Sequence, residues 1–414
     1  RGRGGGRRRG PASGAPGSGP ARPGGAGFLR GGRAVAVAAV SVVAVLAVAA
    51  GIGFWLAGRD GPEAEPAYSG PALSVEDMYR ASALALGPDG SLYVVDGGGA
   101  SGAGQVFRLT PDGTVSKIAG TGPSATDEDA PPPVLDDGVP ALEANLMEPL
   151  GIAVGANGDV YVMDFDDERI RRIDQKGTIT TVAGKGADGD GFLANSGRAL
   201  EAQLNSPEAI EVDADGNIYV GAGYRIRKIT PDGMISTVAG SVDEYGTAGD
   251  GGPAANATLS NPTGLAVADD GTIYVSDGDA HTVRKIDPDG RISLVAGTPG
   301  EYGYEGDGGP ATEALLDDPG DLAIGPEGEL YIIDNGNNVI RMVKDGIITT
   351  FAGKDDAPTG SEDGAVATET RLYDPTGVVV DSSGAVYISQ GYDARVRRID
   401  SDGIVHTVLQ KAEE

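Results

Sequence analysis

One unit of about 56 residues recurs along the chain, and it restricts the possible folds more than any other feature. Five copies start at a proline and read alike, as in PTGLAVADDGTIYVSD and PLGIAVGANGDVYVMD. The prolines that start these copies are Pro149, Pro207, Pro262, Pro319 and Pro375. An earlier copy, SALALGPDGSLYVVD over residues 82–96, lacks the proline. Repeats of this length predict a series of equivalent structural units.

Each unit contains four short strand-like runs, for example GLAV, TIYVSD, TVRKID and ISLVAG. These runs are rich in β-branched and aromatic residues, and Asp-Gly or Asn-Gly turns separate many of them. A single four-stranded meander cannot bury both of its faces, whereas six meanders arranged around an axis pack against one another. The sequence therefore predicts an all-β fold, a six-bladed β-propeller with four-stranded blades over residues 80–414.

The order of these elements resembles the NHL-repeat family. A proline precedes an apolar strand, G-x-I-Y-V-x-D follows, and an arginine pair leads into D-G-x-I-x-T-V-A-G. The resemblance implies a rigid propeller like the extracytoplasmic sensor domains of actinobacterial receptor Ser/Thr kinases, or like protein-interaction modules elsewhere. No kinase motif of the H-R-D or D-F-G type occurs in the chain. A kinase, if one is involved, is expected upstream or on a separate chain.

The N-terminal part has a different composition from the repeats. Residues 1–33 contain eight arginines and no acidic residue, although the whole chain has a net charge of −29. Residues 34–57 are uncharged and would form a helix of about 36 Å, long enough to span a bilayer. This pattern predicts a basic, disordered cytoplasmic segment (1–33), a transmembrane helix (34–57) that acts as a signal anchor, and a linker (58–79).

We therefore expect a single-pass protein of the cell membrane, with the propeller on the extracytoplasmic side. A cleaved signal peptide is the alternative interpretation, because Ala47-Val48-Ala49 has the small-x-small form of a cleavage site. The abundance of Ala, Gly, Arg and Pro suggests a bacterial source. The excess of acidic residues in the repeats opposes binding to nucleic acid, since both would carry negative charge.

The hexapeptide GDGGPA occurs twice between units, at residues 249–254 and 306–311. A phosphate-binding loop would need a helix and a lysine after it, and neither pattern follows. Because the hexapeptide recurs at unit boundaries, with a leucine shortly before the next proline, it is interpreted as a structural insert.

Two charged positions also recur in most units. An aspartate ends the second strand and an arginine lies in the third strand, which places them at separate radii around the ring. The pattern predicts structural pairs, in which the aspartate caps a hairpin turn and contacts the arginine along the strand edge. The positions are Asp96, Asp164, Asp277 and Asp334, and Arg171, Arg227, Arg284, Arg341 and Arg397.

Some six-bladed propellers are enzymes with a metal at the mouth of the central channel. Glu208 and Asp321 are the two carboxylates predicted near that mouth, which are too few for a typical calcium site. His281 and His406 are the two histidines of the chain, and their places in the repeat predict that they lie far apart. No catalytic residue, metal ligand or cofactor is assigned from the sequence. A lactonase-like hydrolase or lyase remains the alternative function.

Five long inserts connect the units and carry many acidic residues. Because connections from strand four to strand one leave a meander on one side, the inserts predict an acidic crown on one face of the propeller. Tyr245, Tyr302 and Tyr304 lie in these inserts. Such a face suits a basic protein or peptide or an aminosugar-bearing envelope polymer, and the chain is predicted to be a binding or sensor module. A face kept acidic for solubility is the alternative.

Overall fold

The computed structural model describes residues 67–76, 78–98, 104–121, 137–187, 194–242, 244–354 and 363–412. The predicted cytoplasmic segment, the predicted transmembrane helix and the first part of the predicted linker therefore lie outside the described residues. Within the described ranges, no helix is long and apolar enough to cross a membrane. The chain divides into two compact units, and the second, Glu63–Glu414, contains all of the described ranges.

Six sheets, each built on four consecutive antiparallel strands, confirm the predicted propeller. In each blade the strands run in chain order from the central axis to the rim. A short strand β1 (Leu73–Val75) precedes them, and two more, β6 (Val139–Pro140) and β11 (Ser196–Arg198), lie in inserts. Blades one to three contain β2–β5 (Ala81–Leu86, Leu92–Asp96, Gln105–Leu109, Val115–Ala119), β7–β10 (Pro149–Val154, Val160–Asp164, Arg169–Ile173, Thr178–Ala183) and β12–β15 (Pro207–Val212, Ile218–Ala222, Arg225–Ile229, Met234–Gly240). Blades four to six contain β16–β19 (Pro262–Val267, Ile273–Asp277, Thr282–Ile286, Ile292–Ala296), β20–β23 (Pro319–Ile324, Leu330–Asp334, Val339–Lys344, Ile347–Ala352) and β24–β27 (Pro375–Val380, Val386–Gln390, Arg395–Ile399, Val405–Lys411).

The hydrophobic core lies between the blades. Successive residues of a first strand face opposite neighbours, because side chains alternate along a strand. In β16, Leu265 packs with residues of blade three such as Tyr219, whereas Ala266 packs toward Leu322 of blade five. Burial of one leucine stabilises the fold by about 1.5–3 kcal/mol. This alternation of large and small side chains lets adjacent blades interdigitate around the channel.

In their described parts the inserts run mostly along the rim, so the prediction of a crown on one face is wrong for most of these residues. After strand four, each insert turns back along the outer strand of the following blade. Strand β6 pairs with β10 and β11 pairs with β15, and single bridges reach the outer strands of blades four to six. The inserts therefore cover the rim of the propeller.

Short 3-10 helices follow these rim contacts. Their first amide bonds to the turn between strands three and four, as in Ala311 N–H to the Gly346 carbonyl at 2.8 Å. A fully buried leucine such as Leu316 then fills the gap between blades. The 3-10 helices of the inserts are Ala141–Glu143, Ala199–Glu201, Ala254–Asn256, Ala311–Glu313 and Ala367–Glu369, and two more, Gly278–Ala280 and Asn335–Asn337, lie in the turns between strands two and three.

The recurring arginine holds the insert rather than the strand edge. Arg284 donates from Nε and Nη2 to Asp250 at 3.0 and 2.8 Å, and from Nη1 to the Thr258 carbonyl at 2.8 Å. Arg341 donates to Asp307 at 2.6 Å and has a fully buried side chain. Because the carboxylate comes from the insert and the arginine from strand three, each pair fastens an insert to the blade that it covers.

The hexapeptide GDGGPA supplies these carboxylates, since Asp250 and Asp307 are its second residues. Its first glycine is required by geometry. Gly306 has φ +97°, and a Cβ there would lie 2.7 Å from the Ala314 Cα. A residue with a side chain would be strained at this position and would collide with the backbone. The hexapeptide is therefore a structural element.

The recurring aspartates have a different main partner from the one predicted. Asp277 accepts the backbone N–H groups of Ser260 and Asn261, which precede strand one of the same blade. Asp164 binds the two corresponding amides in blade two. A direct contact with the strand-three arginine is seen in blade five, where Asp334 lies 3.3 Å from Arg341. These aspartates therefore anchor the entry into blades one, two, four and five, and the cap of the hairpin turn is the lesser contact.

The ring closes through residues of the predicted linker. Strand β1 pairs in parallel with β27, the last strand of blade six. The backbone carbonyl of Tyr68 accepts the Tyr387 hydroxyl at 3.2 Å, and the Tyr68 side chain is 7% exposed. The linker prediction is therefore wrong for residues 67–79, which belong to the propeller. Blades one and six each consist of four consecutive strands, and the segment that contains β1 connects the two blades.

Candidate functional site

The central channel has a volume of about 270 Å³ and is lined by the first strands of the six blades. Two carboxyl groups that lie within it, Glu211 and Asp321, occupy positions where most other blades have glycine or alanine. The Val378 N–H donates to Asp321 at 3.0 Å. Burial raises the pKa of Asp321 to about 7. Burial and the Asp321 charge together raise the pKa of Glu211 to about 8.

Sequence reasoning expected Glu208 and Asp321 at one channel mouth, and the structure gives Asp321 a different neighbour. Asp321 interacts with Glu211, which lies three residues after Glu208 in β12. Both Glu208 and Glu211 line the channel. The sequence did contain a signal for Glu211, because it breaks the small-residue pattern of the first strands. That signal was not enough to identify its partner, which lies two blades away.

Glu208 belongs instead to an acidic patch on the face formed by the turns between strands two and three, here called the turn face. The patch consists of Glu208, Asp279, Asp317 and Asp318. Burial raises the pKa of Glu208, and the charges of Asp279 and Asp318 raise it further. Burial and the charges of Asp279 and Asp317 likewise raise the pKa of Asp318. Such mutual repulsion favours binding of a positively charged group.

His281 lies at the edge of this patch. Its Nδ1 accepts the Asp318 N–H at 3.1 Å and lies 3.6 Å from the Asp317 carboxylate. The Tyr302 ring packs against the imidazole with 5.4 Å between ring centroids. His281, for which the sequence pattern indicated no role, therefore borders the acidic patch.

The three tyrosines predicted for binding do not share one environment. Tyr245 is 73% exposed and packs on Tyr224 at 5.6 Å, whereas Tyr302 is 69% exposed beside His281. Tyr304 contacts the Thr350 hydroxyl at 2.7 Å, and its ring lies 5.1 Å from the Arg341 guanidinium. Tyr245 and Tyr302 thus reach the turn face, and Tyr304 belongs to the rim.

A surface pocket of about 340 Å³ lies between blades three and four on the turn face. Its lining includes Glu208, Asp279, Tyr224, Asn205 and Asn261. The pocket therefore combines two carboxylates, two amides and an aromatic ring, and one buried arginine, Arg225, also lines it. This set of side chains can bind an ammonium or guanidinium group by charge, hydrogen bonding and cation–π contact.

Comparison with known proteins agrees with the repeat pattern. The family model described as the teneurin NHL domain matches residues 111–191, 188–248, 242–303 and 355–414. The chain belongs to the teneurin NHL domain family. The predicted NHL-repeat resemblance is thereby confirmed.

Individual relatives of this teneurin-type NHL domain are much longer proteins. Mouse teneurin-3 is 31% identical over an alignment of 287 positions that covers 61% of this chain and 10% of teneurin-3. Human teneurin-1 is 27% identical over an alignment of 369 positions that covers 80% of this chain and 12% of teneurin-1. The chain thus spans about a tenth of the length of these curated relatives. An auxiliary nutrient binding protein from Bacteroides thetaiotaomicron has a similar fold, with TM-score 0.55 and 15% identity over 80% of this chain and 70% of that protein.

Across the described ranges, no group of three or more His, Asp or Glu side chains is arranged to hold a metal ion. His406 contacts Asp400 at 3.2 Å in blade six, whereas His281 is in blade four. The turn face presents carboxylates, asparagine amides, the His281 imidazole and tyrosine rings.

Proposed function

We propose that this protein is a membrane-anchored, extracytoplasmic NHL propeller that binds a cationic segment of a protein, peptide or envelope polymer on its turn face. One observation carries the proposal: the acidic patch lies beside the pocket between blades three and four, with exposed tyrosines next to both. Carboxylates attract lysine, arginine or aminosugar groups, and tyrosine rings contact the same cations by their faces. The arginine-held inserts keep these side chains on a rigid support, which reduces the entropy lost on binding.

The test measures binding of a labelled octalysine peptide to the full chain in detergent, by fluorescence anisotropy at low and at physiological salt. We expect saturable binding that weakens with salt, because the attraction is electrostatic. The triple variant E208Q/D279N/D318N should weaken it by about tenfold or more. A matched control removes three exposed carboxylates at turns on the opposite face: D215N/D232N/D289N. Equal losses in both variants would show that net charge alone attracts the peptide, and would refute the proposed site.

Membrane anchorage and orientation form the second part of the proposal. They are supported by the uncharged stretch 34–57 and the arginines before it. Because the chain has no cysteine, a single cysteine at the exposed Glu313 provides a clean reporter. A membrane-impermeant maleimide should label Glu313→Cys in intact cells, and the labelled protein should sediment with membranes. Labelling that requires cell lysis would contradict the orientation.

A hydrolase or lyase that acts in the channel is the second candidate function, and the raised pKa values of Glu211 and Asp321 favour it. A carboxyl group that stays protonated near neutral pH can act as a general acid. The test is turnover of a panel of lactones and esters by the full chain, with E211Q and D321N as variants. Turnover lost in both variants, with octalysine binding unchanged, would support this function. Absence of turnover, or turnover unaffected by either variant, would rule out the channel as its site.

A further inference from the structure

The outer strands of five blades are covered by an insert in the same way. In blade five, the Gly308 N–H donates to the Ile348 carbonyl at 2.8 Å, and the Ile348 N–H donates to the Gly309 carbonyl at 3.1 Å. Asp307 then accepts the Thr350 N–H at 3.0 Å. The residues that correspond to Ile348 make such contacts in the other covered blades: Ile179, Ile235, Ile292 and Val405.

Blade one differs, because its outer strand β5 has no such cover among the described residues. Val115 corresponds to Ile348 by its place in the repeat, and Lys117 corresponds to Thr350. In the part of the chain that the structure describes, strand β5 pairs with β4 alone, and that pairing leaves the Val115 backbone groups and the Lys117 N–H directed outward. An unpaired strand edge is a ready site for another strand.

The sequence of blade one agrees with this difference. Phe107 stands where the other blades have the arginine that fastens an insert. Lys117 replaces the threonine or leucine found at its position elsewhere. Ser116 and Lys117 are exposed. The chain segment before blade one runs along blade six instead, as β1, and leaves the β5 edge open.

A cleft of about 390 Å³ lies beside this edge, between blades one and two. Its apolar lining includes Ile118 and Leu142, and the Leu142 side chain is 51% exposed. The charged groups that line it are Arg108, Lys117, Lys176 and Asp174. Arg108 contacts Asp89 outside the cleft. The cleft therefore has an excess of positive charge on a chain whose net charge is −29.

We propose that blade one binds an extended, acidic segment of a partner protein, which adds as a further strand to β5 and places a carboxylate at Lys117. The insert on blade five shows the expected geometry, because it pairs at Ile348 and its Asp307 accepts the Thr350 N–H. A partner strand that pairs in the same way at Val115 would bring an aspartate to Lys117. Lys117 offers both its N–H and its ammonium to that carboxylate, which the threonines elsewhere do not. Addition of a strand supplies affinity through the main chain, and the charged side chains select the partner.

A second copy of the chain fits this edge less well. Two β5 strands that pair in antiparallel fashion around their centre place one Lys117 opposite the other. Like charges directly across a sheet destabilise the pairing. The excess positive charge of the cleft likewise favours an acidic partner.

The test uses a labelled synthetic peptide with the sequence of residues 303–314, GYEGDGGPATEA, which pairs with blade five in the intact chain. Its binding to the full chain in detergent is measured by anisotropy, and hydrogen exchange of the Lys117 amide is measured with and without peptide. We expect saturable binding and protection of that amide. Replacement of the aspartate in the peptide by asparagine should weaken binding about fivefold or more.

Two protein variants separate the backbone and charge contributions. K117P removes the outward N–H at an edge position that tolerates proline, and K117E reverses the charge. Both should weaken binding by about tenfold, whereas K285E, the same reversal in blade four, should leave it unchanged. Thermal melting verifies that each variant is folded.

Absence of peptide binding, or equal binding to wild type and K117P, would overturn the proposal. A dimer of the chain that K117P disrupts would also overturn it in favour of a second copy. Octalysine binding to the turn face is independent of these outcomes.

Discussion

Replacement of Glu211 by glutamine is expected to remove most of a pH dependence of stability that originates in the channel. The folded protein raises the pKa of Glu211 from 4.5 to about 8. Between these two values the folded state keeps the proton and the unfolded state releases it. The contribution of Glu211 to the free energy of unfolding is therefore full below pH 4.5 and is lost as the pH rises to about 8. The difference in pKa corresponds to roughly 5 kcal/mol, at 1.36 kcal/mol for each pKa unit.

The assay is urea unfolding of the full chain in detergent, followed by far-ultraviolet circular dichroism at pH 5 and at pH 8.5. Circular dichroism is preferred because the single tryptophan, Trp55, precedes the propeller. Glutamine resembles the protonated glutamate in shape and stays neutral, so E211Q should match wild type at pH 5 within about 1 kcal/mol. At pH 8.5 we expect E211Q to be more stable by several kcal/mol.

A matched control and a clear refutation are available. Glu313 is exposed on the rim, so E313Q should follow the wild-type profile at both pH values. Asp321, whose pKa is also raised, contributes in the same direction and leaves a smaller residual slope in E211Q. Equal losses of stability in wild type and E211Q between pH 5 and pH 8.5 would show that the Glu211 carboxyl is not held in its protonated form by the channel.

Three further predictions concern stability and use the same unfolding assay. Arg341→Met should cost about 3–5 kcal/mol, because it leaves the buried Asp334 without its charged partner and releases the insert carboxylate of Asp307, whereas Lys285→Met, in an exposed ion pair with Asp287, should change stability by less than about 1 kcal/mol; similar values for both would argue against fastening of the insert by Arg341. Leu316→Ala should cost about 2–5 kcal/mol through the cavity it leaves between blades four and five. Tyr68→Ala should cost about 3 kcal/mol and increase hydrogen exchange in blades one and six before the others; uniform exchange around the ring would contradict closure by residues 67–79.

Much of the architecture followed from local sequence. Strand runs, Asp-Gly turns and a recurring proline specify blades because each depends on neighbouring residues, and the structure agrees on six blades of four strands. The roles of the recurring aspartates and arginines were less accessible. Asp277 and Arg284 lie seven residues apart, but their partners come from residues that precede the blade, so the pattern alone suggested a contact with each other.

The candidate sites depended more strongly on tertiary structure. Glu208 and Asp321 were identifiable as carboxylates in first strands, but the interaction of Asp321 with Glu211 joins blades three and five across the axis. Likewise, His281 joins the acidic patch because a turn of blade four meets the segment that enters blade five. Contacts between residues so far apart depend on how the blades are placed around the ring, and periodicity carries no such information.

The sequence by itself determined the blades, their number and the glycine turns of the inserts, because strand alternation and positive φ angles are local properties of the chain. The tertiary structure decided the path of the inserts along the rim, closure through β1, the carboxyl groups in the channel and the open edge of blade one. Ring closure pairs β1 with β27, which lie more than three hundred residues apart in the sequence. This closure also explains why the edge of β5 is not covered by the segment before blade one. When the segment before blade one covers blade six, it cannot also cover blade one.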